Sequence, residues 1–336
     1  MTGGEADLLR VQDLTVEFTG QSGTVRAVDG VSLRLGCGRR LGVVGESGSG
    51  KSVLSRTMMG LTRARSARIG GSVWIAGKSV LELPERARRA MWGRDLAMVF
   101  QDPLSALHPI TPIGDQLVEA IRRDPSIGRR QARRRAVELL ETVGIPLASR
   151  RVAARAHELS GGMRQRVAIA MALAGRPKLI IADEPTTALD VTVQARILEL
   201  FDQLCAEFGI GLVLISHDLS VVGQHTDDVA VMYAGRIAEH GPVAEVFARP
   251  AMRYTQALMA AIPRVTDGRR ELPRPIPGAP PDLSAPPPGC RFAPRCQHAD
   301  AVCRTQPEML PFPDRPEHRY ACAHPGSVPL LVEGGT

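Results

Sequence analysis

The segment GESGSGKS at residues 45–52 constrains the fold of this chain more than any other. It follows the apolar run LGVV and precedes SVLSRTMMGL, whose pattern is typical of a helix. This order of strand, glycine-rich turn and helix is that of a mononucleotide-binding unit. The segment therefore predicts a doubly wound α/β core with a phosphate site at one end of a buried strand.

Each residue type in this motif, the P-loop pattern, has a role in holding a triphosphate. Small residues allow backbone N–H groups to wrap around the β-phosphate, and Lys51 neutralises the β- and γ-phosphate oxygens. The Ser52 hydroxyl is a ligand for Mg²⁺. A chance glycine-rich turn is the alternative interpretation. The predicted nucleotide-binding residues are Gly45, Glu46, Ser47, Gly48, Ser49, Gly50, Lys51, Ser52 and Val53.

Polar side chains follow three other strand-like runs. Asp183 and Glu184 come at the end of LIIADE. Gln101 follows DLAMVF, and His217 follows GLVLIS. Because ligands of open α/β sheets bind at the carboxyl ends of the strands, we expect these side chains to lie near the phosphates. Without the phosphate motif, the acidic pair would equally indicate a solvated loop or a helix start. Taken singly, a glutamine is usually a surface amide, and a histidine is usually a core or loop residue with its hydrogen bonds satisfied.

These four residues have distinct predicted roles in ATP hydrolysis. Asp183 and Gln101 join Ser52 as the predicted Mg²⁺ ligands. Glu184 is placed to polarise the attacking water, since it lies one residue beyond Asp183. His217 and Gln101 complete the predicted catalytic set, as sensors of the γ-phosphate.

A second phosphate-binding element is LSGGMRQR, at residues 159–166. Leu159 and Ser160 lead into a helical run, and Gly161 and Gly162 leave its first turn without side chains. Backbone amides and the Ser160 hydroxyl can therefore meet an anion. Because the chain already has a P-loop of its own, this element indicates a phosphate held by a second chain.

The rest of the chain divides by composition and periodicity. Residues 8–35 alternate apolar and polar positions and predict an antiparallel lead-in sheet, whereas residues 113–175 are mostly helical in pattern. LIIAD and GIGLVLIS predict buried parallel strands. The predicted domains are residues 1–261, with a helical subdomain at about 102–175, and a proline- and cysteine-rich region at residues 262–336.

Charge and hydrophobicity narrow the classes of function. The net charge is +7, and arginines cluster at residues 86–89 and 129–135. No aromatic residue lies in either cluster, so the sequence favours solvated helix faces over a nucleic-acid site. Contact with anionic lipid headgroups is an alternative. No apolar run approaches the ~18 residues of a membrane span, and the N-terminus lacks the pattern of a secretion signal. We expect the chain to stay in the cytosol.

The C-terminal region combines prolines with cysteines. It holds 16 of the 26 prolines, which exclude long helices, and four of the six cysteines, in a Cx5Cx6Cx18C array. Disulfides are disfavoured in a cytosolic protein. Structural zinc, simple buried thiols and an iron–sulfur cluster stay open, and wide spacing favours the cluster. The predicted ligands are Cys290, Cys296, Cys303 and Cys322, with His298, His318 and His324 as possible zinc ligands.

In their order and spacing, these motifs resemble the ATPase subunits of ABC transporters over about residues 8–250. The resemblance implies the P-loop NTPase fold and a head-to-tail pair of ATPase domains that enclose ATP. Ser160 and Gly162 of one chain would then touch the γ-phosphate held by the P-loop of the other. Adenine would stack on an aromatic upstream of the P-loop, for which Phe18 is the best local candidate.

Several segments resemble the first ATPase subunit of the oligopeptide, dipeptide and nickel importers, among them VRAVDGVSL, QDPLSALHP and ADEPTTALDVTVQARIL. His108 departs from the usual asparagine, and AMRYT lacks the frequent His-Pro before Tyr254. The same tail in that group is associated with a [4Fe-4S] cluster.

The resemblance implies an ATP-hydrolysing subunit of an importer for peptides or related small solutes, at the cytoplasmic face of the membrane. Its implied partners are a second, non-identical ATPase subunit, two membrane-spanning permeases and an extracytoplasmic solute-binding protein, with no nucleic acid. Nickel or glutathione import is an alternative. Soluble ABC ATPases of translation or DNA repair form another class, but they carry two cassettes or a long coiled coil. A third alternative is an iron or redox sensor that retains an ATPase core.

Overall fold

A computed structural model describes residues 7–20, 23–62, 66–187, 189–262, 264–266, 269–271 and 274–326. In chain order its strands are β1 (Leu9–Gly20), β2 (Gly23–Leu35), β3 (Arg40–Val44), β4 (Ala67–Ile75), β5 (Lys78–Ser79), β6 (Leu96–Val99), β7 (Leu179–Asp183), β8 (Gly211–Ser216), β9 (Asp228–Tyr233), β10 (Arg236–Pro242), β11 (Arg264–Thr266), β12 (Arg269–Glu271), β13 (Leu310–Phe312) and β14 (Arg315–Tyr320).

The helices alternate with these strands through the first three quarters of the chain. They are α1 (Lys51–Met58), α2 (Glu85–Met91), α3 (Ile113–Ile121), α4 (Arg129–Thr142), α5 (Ala148–Arg151), α6 (Gly161–Leu173), α7 (Val191–Phe208), α8 (Leu219–His225), α9 (Val243–Ala248) and α10 (Arg253–Ala260). Short 3₁₀ turns lie at Pro103–Ser105, Ala156–Glu158, Ala293–Arg295 and Val302–Arg304. In the part of the chain that is described, no helix has both the length and the apolar content to cross a membrane.

The central sheet has the strand order β13-β14-β10-β9-β3-β8-β7-β6. Strands β9, β3, β8, β7 and β6 run parallel, so their carboxyl ends meet at one edge. Strands β7 and β8 are buried along their whole length, which explains why their sequences are continuously apolar rather than alternating. The predicted α/β core with buried parallel strands is confirmed.

A second, antiparallel sheet with the order β2-β1-β4-β5 covers one side of the P-loop region. Strands β1 and β2 pair antiparallel, with Gly20 opposite Gly23, as the alternating pattern of residues 8–35 predicts. Their apolar side chains join Leu54 and Met58 of α1 in one buried cluster. The lead-in sheet therefore braces the helix that follows the P-loop.

Helices α3 to α6 pack against one another and against one face of the central sheet. Ala132, Ala136 and Leu140 of α4 are buried against α3 and α6, whereas the arginines at positions 129, 130, 133 and 134 are exposed. The arginine cluster is therefore a solvated helix face, as the sequence favours.

The proline- and cysteine-rich region predicted at residues 262–336, called the tail below, is not irregular throughout. Its strands β13 and β14 extend the central sheet. Strand β14 pairs antiparallel with β10, and β13 pairs with β14. The fully buried Glu239 of β10 accepts hydrogen bonds from the Ala251 and Met252 backbone N–H groups, at 2.6 and 3.1 Å. His318 Nε2 lies 2.7 Å from the same carboxylate, and its ring stacks on Phe312.

The structure gives His318, one of the possible zinc ligands, buried contacts within the central sheet instead. The imidazole is enclosed between Glu239 and Phe312 and is fully buried at the sheet. It therefore attaches the tail to β10 and does not belong to the cysteine site.

We predict that Glu239→Ala lowers the free energy of unfolding by about 3 kcal/mol, because two backbone N–H groups and an imidazole lose their buried acceptor. Urea denaturation measures the change. Glu207→Ala removes an exposed carboxylate of α7 and should change the free energy by less than about 0.5 kcal/mol. Equal effects of the two substitutions would contradict the structural role of Glu239.

Candidate functional site

The P-loop connects the end of β3 to the start of α1. Gly50 has φ 101°, and a Cβ built on it would lie 2.2 Å from the Ala27 carbonyl oxygen. A side chain at this position would therefore displace either the loop or β2. As at any helix N-terminus, the first N–H groups of α1 have no partner within the helix, and such an end stabilises an anion.

Lys51 lies at the first position of α1 and is only 4% exposed. Its Nζ donates to the backbone oxygens of Gly45, at 2.7 Å, and Glu46, at 3.0 Å. Burial lowers the pKa of Lys51, while Glu184 and Asp183 oppose that shift. The carboxylates beyond the loop thus help to keep the ammonium charged at the phosphate site.

Asp183, at the end of β7, contacts the start of α1. Its carboxylate accepts from Ser52 Oγ at 3.3 Å and from Ser55 Oγ at 3.0 Å. Burial raises the pKa of Asp183, and the two serine hydroxyls lower it. Ser52 and Asp183 supply the hard oxygen donors that Mg²⁺ prefers, so these residues fit the metal that an ATP site requires. Gln101, the third predicted ligand, is exposed just after β6.

Glu184 and His217 lie side by side at the same edge. Glu184 has φ 48°, and its backbone N–H donates to the Ile215 carbonyl of β8, at 3.0 Å. Its Oε2 accepts from Thr187 Oγ1 at 2.8 Å and lies 3.5 Å from His217 Nδ1. Since positive φ is uncommon outside glycine, this backbone is held by its neighbours in a conformation that aims the side chain.

The LSGG element begins α6. Ser160 is the N-cap residue, and its Oγ accepts from the Met163 N–H at 3.4 Å. Ser160 and Gly161 are exposed, so their polar groups face solvent. Packing also requires a glycine at position 162, because a Cβ there would lie 2.6 Å from Val193 Cγ1 of α7.

Phe18 lies in β1, half-buried, with Val25 and Ala67 as its cross-strand neighbours. Its role in stacking on adenine stays a prediction.

Two residues at the P-loop were not predicted from the sequence. The Glu46 N–H donates to Tyr254 Oη at 2.9 Å, and the Glu46 carboxylate accepts two hydrogen bonds from Arg295. Tyr254 and Arg295 are 208 and 249 residues away from Glu46 in the chain. No local motif signals contacts over such separations.

The four tail cysteines lie in one apolar cluster with Tyr233, Tyr254 and Phe292. None of them forms a disulfide. Burial raises the pKa of the Cys290 thiol, and the nearby Cys322 and Cys303 thiols raise it further. Burial also raises the pKa of the Cys322 thiol, and the Cys296 thiol raises it further. The four cysteine side chains therefore share one apolar site.

A mixed donor group overlaps this cysteine cluster. Potential ligand atoms of Asp300, Cys303 and His324 all lie within 4.8 Å of one another. His298, by contrast, is exposed, and only its backbone N–H contacts Cys296 Sγ, at 3.4 Å. Of the histidines predicted as zinc ligands, only His324 lies in such a group.

Comparisons with known proteins agree with this geometry. Residues 28–187 match the ABC transporter family model, and residues 238–303 match the model of the oligopeptide/dipeptide transporter C-terminal region. A solved structure of the ATP-binding cassette MJ0796, a dimer in a post-hydrolysis state with ADP and Pi, is similar to this chain, with a TM-score of 0.63 at 25% identity. It covers 70% of this chain and 98% of that one. The fold and the site define a P-loop ATPase of the ABC type.

Curated relatives share most of the chain, including the tail. A putative peptide import ATP-binding protein of Brucella abortus is 48% identical and covers 90% of this chain and 92% of its own length. The dipeptide transport protein DppD of Bacillus subtilis is 47% identical, covering 88% of each. The oligopeptide transport protein OppD of Salmonella typhimurium is 45% identical, covering 95% and 94%. The chain belongs to the ATP-binding subunits of the ABC transporter family.

Proposed function

We propose that this chain is the ATP-hydrolysing subunit of an importer of dipeptides or oligopeptides. The observation that carries the proposal is identity of 45–48% to relatives named for peptide import, extending through the C-terminal tail. An ATPase core alone is common to all ABC proteins, whereas the tail matches the peptide transporter C-terminal region. This favours peptide import over the alternatives of nickel and glutathione import and of soluble ABC ATPases.

In the proposed reaction, Lys51 and the N–H groups of α1 bind the β- and γ-phosphates. Ser52, Asp183 and Gln101 hold Mg²⁺, which when bound neutralises charge on the phosphate oxygens. Glu184 accepts a proton from the attacking water, and His217 beside it orients the water and the γ-phosphate. The short contacts of Glu184 with Thr187 and His217 support this assignment, because they fix the carboxylate at the sheet edge.

The ATPase acts in this proposal as one half of a pair. Ser160 and Gly161 are exposed at the start of α6, and Gly162 follows them, so the element is available to the nucleotide of a second subunit. The similar cassette MJ0796 was solved as a dimer, which supports the same association here. A non-identical ATPase subunit is the proposed partner.

The membrane partners are two permease subunits, and an extracytoplasmic binding protein delivers the solute. The segment after Gln101 carries the exposed apolar side chains Leu104 and Ile110, which are 48% and 72% exposed. Such side chains suit contact with another protein. We place this contact, and therefore the chain, at the cytoplasmic face of the membrane.

The tail in this proposal holds a [4Fe-4S] cluster through Cys290, Cys296, Cys303 and Cys322. Thiolates are the ligands of such clusters, and four cysteine side chains share one partly buried apolar site here. The cluster would serve as a structural staple for a proline-rich segment with a small core. Zinc held by Asp300, Cys303 and His324 is the alternative.

The test of peptide import is to purify the membrane complex by a tag on this chain. We expect two permeases and a second ATPase subunit to copurify. ATP hydrolysis by the complex with its binding protein should rise when peptides are added. Stimulation by nickel or glutathione and not by peptides would contradict peptide import, and recovery without permeases would favour the soluble class.

We predict that Glu184→Gln lowers ATP turnover by about a hundredfold or more, because the water loses its proton acceptor while the phosphate contacts remain. The variant should trap ATP in a closed pair of subunits, seen by size-exclusion chromatography with bound nucleotide. Glu207→Gln, an exposed change in α7, should leave turnover unchanged. Normal hydrolysis by Glu184→Gln would show that another group acts as the base.

We predict that anaerobic purification yields a brown protein with about four iron atoms and four sulfides per chain. Cys303→Ser should abolish both, whereas Cys37→Ser, a change at an exposed thiol outside the tail, should not. A colourless protein with one zinc per chain would select the alternative. Absence of both metals would contradict a metal site in the tail.

A further inference from the structure

The tail contacts the P-loop directly through Arg295. Its guanidinium donates to both carboxylate oxygens of Glu46, with N–O distances of 2.6 and 3.0 Å. The Arg295 side chain is 4% exposed and that of Glu46 is 25% exposed. A bidentate pair of this kind has fixed geometry and is partly shielded from water, so it is stronger than an ordinary surface ion pair.

Arg295 is held in place by more than its ion pair. Its Nε donates to the Pro277 carbonyl oxygen at 2.8 Å, and one terminal nitrogen lies 3.2 Å from Tyr233 Oη. The guanidinium also lies within 6.0 Å of the Tyr233 and Phe292 ring centroids. The cation is therefore already positioned for Glu46, which is the second residue of the P-loop.

Glu46 in turn supports the lysine of the nucleotide site. Its carbonyl oxygen accepts from Lys51 Nζ at 3.0 Å, and its N–H donates to Tyr254 Oη. Because the Glu46 backbone is part of the cradle, holding its side chain also holds the acceptor of the lysine.

A second tail arginine contacts a turn that is hydrogen-bonded to the P-loop. Arg291 donates to the Ala234 carbonyl oxygen and to the Asp29 carboxylate, both within the fold core. Gly235, which follows Ala234, donates its N–H to the Ser49 carbonyl oxygen at 2.8 Å. The tail thus reaches the P-loop at Glu46 and, through the Ala234–Gly235 turn, at Ser49.

The charge of Glu46 matters because ATP is strongly anionic. A carboxylate at the second position of the P-loop lies close to the site of the phosphates, where it would repel them if it were left unpaired. The guanidinium of Arg295 cancels that charge.

We propose that Arg295 is a positioning residue of the ATP site, which neutralises Glu46 and holds the P-loop in its binding geometry. Through this residue the C-terminal tail sets the affinity of the core for nucleotide. The inference concerns ATP binding by the ABC ATPase and does not depend on which solute is imported.

The test uses the full-length chain and a fluorescent ATP analogue. Arg295→Met removes the charge and keeps an apolar stem, and it should weaken analogue binding about tenfold. In the assembled complex, KM for ATP should rise by a similar factor while kcat stays within about twofold, since binding and not chemistry is affected. Arg304→Met, a change at an exposed arginine of the same tail, is the matched control and should bind normally.

The double variant Arg295→Met with Glu46→Gln distinguishes charge neutralisation from simple packing. With no carboxylate to repel phosphate, it should recover most of the lost affinity. Arg295→Lys, which retains a cation without the bidentate contact, should lie between the parent and Arg295→Met. Parent-like binding by Arg295→Met would overturn the proposal. It would also be overturned if the double variant, or Arg295→Lys, bound as weakly as Arg295→Met.

Discussion

The parallel pairing of β3 with β8 and β9 is the constraint on which the rest of this structure depends. Parallel strands place their carboxyl ends at one edge, so the turn after β3 meets the residues that follow β7 and β8. The P-loop, Asp183 and Glu184 converge for this reason. Apolar helices and the lead-in sheet cover both faces of the strands and keep water out of their backbone hydrogen bonds.

Electrostatics at this edge are balanced by contacts from several parts of the fold. Lys51 is buried, and the carboxylates of Asp183 and Glu184 oppose the loss of its charge. Asp183 itself relies on two serine hydroxyls of α1. Arg295, in the C-terminal tail, forms an ion pair with the Glu46 carboxylate. Part of the charge at this ATP site is therefore balanced by residues outside the P-loop motif.

The tail is better described as an extension of the core than as a separate attachment. Its last strand joins the central sheet, and Glu239 holds both the turn before α10 and His318 of β14. The segment between Cys290 and Cys296 carries both arginines that reach the P-loop region. The cysteine cluster thus lies within a few residues of a contact with the P-loop.

Local sequence alone determined the strand, turn and helix of the P-loop, the continuous apolar strands β7 and β8, and the cap at Ser160. These follow from backbone sterics, side-chain periodicity and hydrogen bonds between near neighbours. Tertiary structure alone decided the pairing of Arg295 with Glu46, the burial of His318 against Glu239, and the joining of β14 to β10. Such contacts depend on which surfaces meet after the chain has folded, and residues far apart in sequence carry no periodic signal of one another.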